Sequence, residues 1–143
     1  MKNYIAIILA VLLFSCTSKE AEPVIESEEL LGKWKVIEVL QDPGDGSGAF
    51  EPATYNRTVE FFSNATLNAS GTLCYMGTEN NPSSGTFKLT SSNETDINHD
   101  GEIKPNDCNF NEAKIYFDIT SNGKLILWYP CIEGCGEKLE KIE

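Results

Sequence analysis

The feature that most constrains this chain is a period of two. Val59 and Phe61 alternate with Thr58 and Glu60, Leu67 and Ala69 with Thr66 and Asn68, and Ile115, Phe117 and Ile119 with Lys114, Tyr116 and Asp118. Successive side chains of a strand point to opposite faces, so this alternation puts one face on a core and the other in water. A β-branched and aromatic run, "WKVIEVL", occupies residues 34–40, and further runs are "TFKLT", "KLILWYP" and "GEKLEKIE". Between them stand turn signals: "DPGDGSGAFEP" at 42–52, "NNPSSG" at 80–85 and "SNG" at 121–123. Asn122-Gly123 supplies the positive φ angles of a tight hairpin. About eight short strands in near-sequential hairpins predict an all-β domain, an antiparallel up-and-down β-barrel in preference to a sandwich. A closed barrel has no free edges, which suits a chain with few edge-protecting prolines and lysines. A barrel of this size can hold one small ligand.

The strand pattern does not reach the N-terminus. Lys2 and the apolar run "YIAIILAVLLF" form a leader that is short for a membrane span, and it stops at Ser15-Cys16. A small residue before a cysteine resembles the lipobox of bacterial lipoproteins. The resemblance implies cleavage before Cys16, acylation of Cys16 (palmitate among the chains), and attachment to the bacterial cell envelope, at the outer membrane. An ordinary signal peptide is the alternative. After Cys16 the chain turns polar and acidic, "CTSKEAEPVIESEE", with no periodicity, as a tether does. The expected organisation is a signal peptide at 1–15, a lipidated tether at 16–28 and one barrel domain, a monomer, at 29–143. The formal charge of −11 argues against nucleic acid as a partner. The expected partners are the membrane, through the anchor, and a small apolar ligand.

With Cys16 acylated, the remaining cysteines of the five are Cys74, Cys108, Cys131 and Cys135. An even number in an exported domain reads as two disulfides, with three possible pairings. Cys131–Cys135 with Cys74–Cys108 is preferred, because "CIEGC" contains a glycine and can turn back on itself. Zinc is the weaker alternative, since neither pair has the spacing of a zinc knuckle and His99 is the one histidine.

"GKW" at 32–34 resembles the G-x-W signature of lipocalins, and the domain from about residue 30 onward is similar to small lipocalin-like (calycin-type) bacterial lipoproteins, through "LLGKW", "DPGDGSG", "LCYMG", "IKPNDC" and "YPCIEGC". The resemblance implies that Gly32 lets the chain turn in and that Trp34 plugs one end of the barrel. No arginine stands near the C-terminus to stack over the tryptophan, and Lys138 is the expected substitute.

"DINHDGEIKPND", residues 96–107, follows the spacing of a calcium loop. Asp96, Asn98 and Asp100 take its first three ligand positions, Gly101 the sharp turn, Glu102 the backbone-carbonyl position, Ile103 the apolar anchor and Asp107 the last position. Pro105 and strand-like flanks exclude the helices of an EF-hand, so the expectation is a free-standing calcium loop between two strands. A solvated acidic turn is the competing reading, because Asp, Asn and Gly dominate ordinary turns. No nucleophile elbow or phosphate loop is present, and His99 reads as loop filler, so no enzyme is expected. A calcium-stabilised surface module contacting proteins or glycans is the alternative to small-ligand binding.

Overall fold

The computed structural model describes residues 28–77, 79–90, 98–110 and 113–143. The leader, Cys16, the tether through residue 27, and Asp96 lie outside the described residues.

The described chain is all β, without helix, and forms nine strands. They are β1 (Gly32–Gln41), β2 (Glu51–Pro52), β3 (Thr58–Phe61), β4 (Thr66–Ala69), β5 (Ser83–Leu89), β6 (Gly101–Pro105), β7 (Ile115–Ile119), β8 (Leu125–Trp128) and β9 (Cys135–Lys141). From β3 to β9 each strand pairs antiparallel with the next. β1 closes the ring: its first residues pair with β3, from Gly32↔Phe61 to Lys35↔Thr58, and its length from Trp34 to Gln41 pairs with β9. The result is an eight-strand antiparallel closed barrel, consistent with a calycin-like fold. The short β2 is extra and lies on the later half of β1, with Glu38 opposite Pro52. The β1–β9 register slips between Val36 and Glu38, near where β1 exchanges β3 for β2. A bulge of this kind bends and twists a strand locally.

The period-two reading explains the core. Inward positions of β3, β4, β7 and β8 are Val59, Phe61, Leu67, Ala69, Ile115, Phe117, Leu125 and Leu127, all buried, and Val36, Phe87, Ile103 and Leu139 come from the other strands. Phe61 meets the rings of Phe87 and Phe117 edge-on at centroid distances of 5.1 and 6.2 Å. Two segments differ from expectation. Residues 70–77, where the alternation of β4 could continue, form an irregular segment whose Leu73 is fully buried. The stretch read as one long acidic loop contains a barrel strand, β6.

Candidate functional site

The antiparallel meander divides the loops between two ends. Residues 28–31, the loops after β3, β5 and β7, and the C-terminus lie at one end. The loops after β1, β4, β6 and β8 lie at the other.

At the first end Gly32 has φ +112°, and a Cβ there would meet the Glu143 carbonyl oxygen at 2.3 Å, so only glycine fits this entry to β1. Trp34 is buried against Leu30, and its Nε1–H donates to the Leu30 carbonyl at 2.8 Å. The ammonium of Lys141 lies 5.6 Å from the Trp34 ring centroid. Lys138, the residue expected there, instead pairs with Glu38 on the outer wall and lies 4.2 Å over Phe50. Two residues of β9 three apart point to opposite faces of the sheet, which is why one position serves and the other does not.

The second end is closed by polar chemistry. Arg57 and Glu137, both buried, pair at 3.0 Å. Glu137 also accepts hydrogen bonds from Tyr55 at 2.6 Å and Tyr129 at 2.8 Å. Arg57 donates to the Thr72 carbonyl and lies 5.5 Å over the Tyr129 ring. Burial, with the hydrogen bond and charge of Glu137, holds both tyrosine phenols above the ordinary tyrosine range. Arg57 is the chain's sole arginine, and its own neighbourhood in the sequence does not announce its role. The one available signal is Glu137 in β9, a carboxylate at an inward position of the strand.

Around this plug the loops are stapled. Both expected disulfides are present, Cys74–Cys108 with Cα atoms 5.3 Å apart and Cys131–Cys135 with 6.2 Å. The Asp42 carboxylate accepts the backbone N–H groups of Gly44, Gly46 and Gly48 at 2.7, 3.1 and 3.0 Å, and these bonds hold it below the usual carboxylate range. Asp42 N–H in turn donates to the Gly134 carbonyl at 2.9 Å, tying the glycine-rich loop to the "CIEGC" ring. On this braced end three apolar side chains face water: Tyr75 at 45%, Phe110 at 47% and Ile132 at 99% exposure.

The calcium spacing is not brought together. Asp96 lies outside the described residues. Asn98 is exposed, and Asp100 accepts the N–H of Ile119 at 2.7 Å. Glu102 sits on the outer face of β6, 2.8 Å from Lys114 and 3.4 Å from Lys88. Burial alone raises its pKa, but the two lysines outweigh burial and hold the Glu102 carboxyl below the ordinary value. Asp107 follows β6 at the stapled end, so an extended strand separates it from Asp100 by roughly 20 Å, several times an ion's coordination diameter. No cluster of three His, Cys, Asp or Glu groups among the described residues is arranged to hold a metal.

His99 is more than filler. Its Nδ1 lies 3.0 and 3.2 Å from the Asp118 carboxylate, and its ring stacks on Tyr116 at 4.9 Å. Trp128 Nε1–H donates to the same carboxylate at 2.7 Å. This cluster pins residues 99–100 to the outer wall. Its composition depends on the register Tyr116↔Trp128, which spacing alone does not reveal.

Larger concavities open at the surface. One of about 770 Å³ at the Trp34 end is lined by Trp34, Leu89, Thr90, Asp100, Ile119 and Thr120 among others. Another of about 300 Å³ lies at the stapled end beside Tyr75 and Phe110. The first is bordered by the core residue Trp34 and by Leu89 and Ile119, which pack against the core, and the second draws no residue from it. No family model matches the chain, and no curated protein or solved structure matches it.

Proposed function

We propose that this chain is a lipocalin-like lipoprotein of the bacterial envelope, anchored through Cys16, that works without catalysis as a binding module and recognises its partner with the stapled end. The observation that carries this reading is the exposure of Tyr75, Phe110 and Ile132 on loops braced by two disulfides. Exposed apolar side chains on a rigid frame lose little conformational entropy on binding. The packed interior favours recognition by the surface over a ligand held inside the barrel. The anchor geometry agrees. The described chain begins at the Trp34 end, where Lys141 Nζ donates to the carbonyls of Glu28 and Glu29 at 3.4 and 3.0 Å. A tether from Cys16 reaches about 40 Å at most. Attachment at that end leaves the stapled end, on the opposite side of the barrel, free of the anchor.

Two experiments test this. Cys16→Ser in the full chain should abolish metabolic labelling by a palmitate analogue and release the protein from the membrane pellet. A photo-crosslinking residue in place of Ile132 should give discrete adducts in envelope preparations, whereas one in place of Asn122, at the opposite end, should not. Adducts at Asn122 alone, or equally at both positions, would refute recognition by the stapled end.

A further inference from the structure

The concavity of about 300 Å³ at the stapled end lies between two loops. The loop after β4 contributes Tyr75, Glu79 and Asn81, and the loop after β6 contributes Asp107, Asn109 and Phe110. Cys74–Cys108 joins these two walls directly, with Asp107 and Asn109 flanking Cys108, so the gap between them is fixed before any ligand arrives. Its size falls at the lower end of small-molecule sites.

Its chemistry is one-signed. Two carboxylates, Glu79 and Asp107, and two half-exposed aromatic rings line it, and no lysine or arginine does among the described residues. Of the two acids, Glu79 neighbours the Tyr75 phenol, and its hydrogen bonding and negative charge raise the pKa of that phenol. An aromatic face attracts a cation through its quadrupole, and nearby carboxylates add to that attraction. The whole chain carries a formal charge of −11, which concentrates cations at such a cleft. An anionic ligand would meet two like charges here, and a purely apolar one would leave Asn81, Asn109 and Asp107 without a polar partner.

We infer that this cleft binds a small organic cation, an alkylammonium group, between Tyr75 and Phe110 with Glu79 and Asp107 as counter-charges. The inference rests on the proposed use of the stapled end and names the chemistry of one part of it. An alkylammonium group is carried both by quaternary choline head groups and by lysine side chains.

The test uses the full chain in a non-ionic polyoxyethylene detergent, titrated with choline chloride and with Nα-acetyl-lysinamide, and followed by the NMR signals of the Tyr75 and Phe110 rings. Glucose and calcium chloride serve as controls. Saturable shifts with choline or with the lysine derivative are expected, and the stronger of the two identifies the source. Phe110→Ala should weaken binding by about two- to fivefold, the value of one exposed cation–π contact. Asp107→Asn combined with Glu79→Gln should weaken it by about three- to tenfold. These positions lie on the surface, and retained near-ultraviolet circular dichroism verifies folding of each variant. Absence of saturation by either cation, equal response to glucose, displacement by calcium at equal concentration, or affinity unchanged in the acid double variant would overturn the inference. Adducts at position 132 would survive such a failure, which separates it from failure of the broader reading.

Discussion

At the end where the chain enters the barrel, Leu30 and Trp34 seal the interior with apolar surface and one hydrogen bond. At the far end the same task falls to Arg57, Glu137, Tyr55 and Tyr129, linked by charge and hydroxyl contacts. The two solutions differ in how they fail. An apolar plug weakens in proportion to the volume removed. A buried ion pair fails when either partner is lost, because the survivor keeps its desolvation penalty without its compensation.

The largest expected effect follows from that asymmetry. Arg57→Met should lower unfolding stability by roughly 3–5 kcal/mol, since it leaves the fully buried Glu137 carboxylate without its cation. Trp34→Phe, which keeps a ring and loses the bond to Leu30, should lower it by about 1–2 kcal/mol. Urea unfolding midpoints with a common slope measure both. Arg57→Met combined with Glu137→Met should recover part of the single loss. Equal losses in Arg57→Met and Trp34→Phe would remove the contrast between the ends.

The disulfides sharpen it next, because both belong to the polar end. Cys74–Cys108 spans 34 residues of chain, and Cys131–Cys135 only 4. Loop-closure entropy then predicts that Cys74→Ser with Cys108→Ser lowers stability by roughly 3–4 kcal/mol, and Cys131→Ser with Cys135→Ser by about 2 kcal/mol. Thermal unfolding of the two double variants should rank them in that order. The opposite order would mean that the small ring supports the glycine-rich loop through Gly134 more than it constrains the unfolded chain.

Alkaline pH acts on one end alone. Tyr129 and Tyr55 keep their protons in the folded protein above the pH at which the unfolded chain loses them, because of burial and the charge and hydrogen bonds of Glu137. Their stabilisation is therefore fully present below about pH 10 and falls as pH rises further, with a slope for Tyr129 of up to about 1.4 kcal/mol per pH unit. Stability measured between pH 9 and 11 should decline, and Tyr129→Phe should flatten that decline. A Trp34→Phe variant should keep the full slope.

The unequal legibility of the two ends has a physical cause. The barrel could be read because alternation is local: Ile115, Phe117 and Ile119 announce their face without knowledge of any partner strand. Both cysteine pairings could be read for a similar reason, since the small ring is a local closure and fixes the other pair. Gly101 and Ile103 show where spacing alone is ambiguous. Their spacing fits a metal loop, yet they are neighbouring inward positions of β6: Ile103 is fully buried, and a Cβ on Gly101 would meet the Phe117 ring at 2.3 Å. A glycine demanded by an aromatic ring on the next strand has the same sequence signature as one demanded by a turn. The Arg57–Glu137 pair was illegible because its members lie 80 residues apart and meet only after the barrel closes.

The smallest effect compares two lysines of one strand. Lys141 lies over Trp34 and reaches the carbonyls of Glu28 and Glu29, so it tethers the entry turn to the apolar plug. Lys138 pairs with Glu38 on the outer wall, where both side chains are partly buried, and lies over the Phe50 ring. Lys141→Met and Lys138→Met should each lower stability by about 0.5–1 kcal/mol through a lost cation–π contact, and Lys138→Met loses its ion pair besides. The two differ in what they loosen. Loss of Lys141 should speed amide hydrogen exchange at Lys33, whose N–H donates to the Glu143 carbonyl at 3.0 Å, whereas loss of Lys138 should leave that amide unchanged. Faster exchange in both variants would place the fastening of this end in the β1–β9 pairing as a whole, and the lysine over the tryptophan would then be one contact among many.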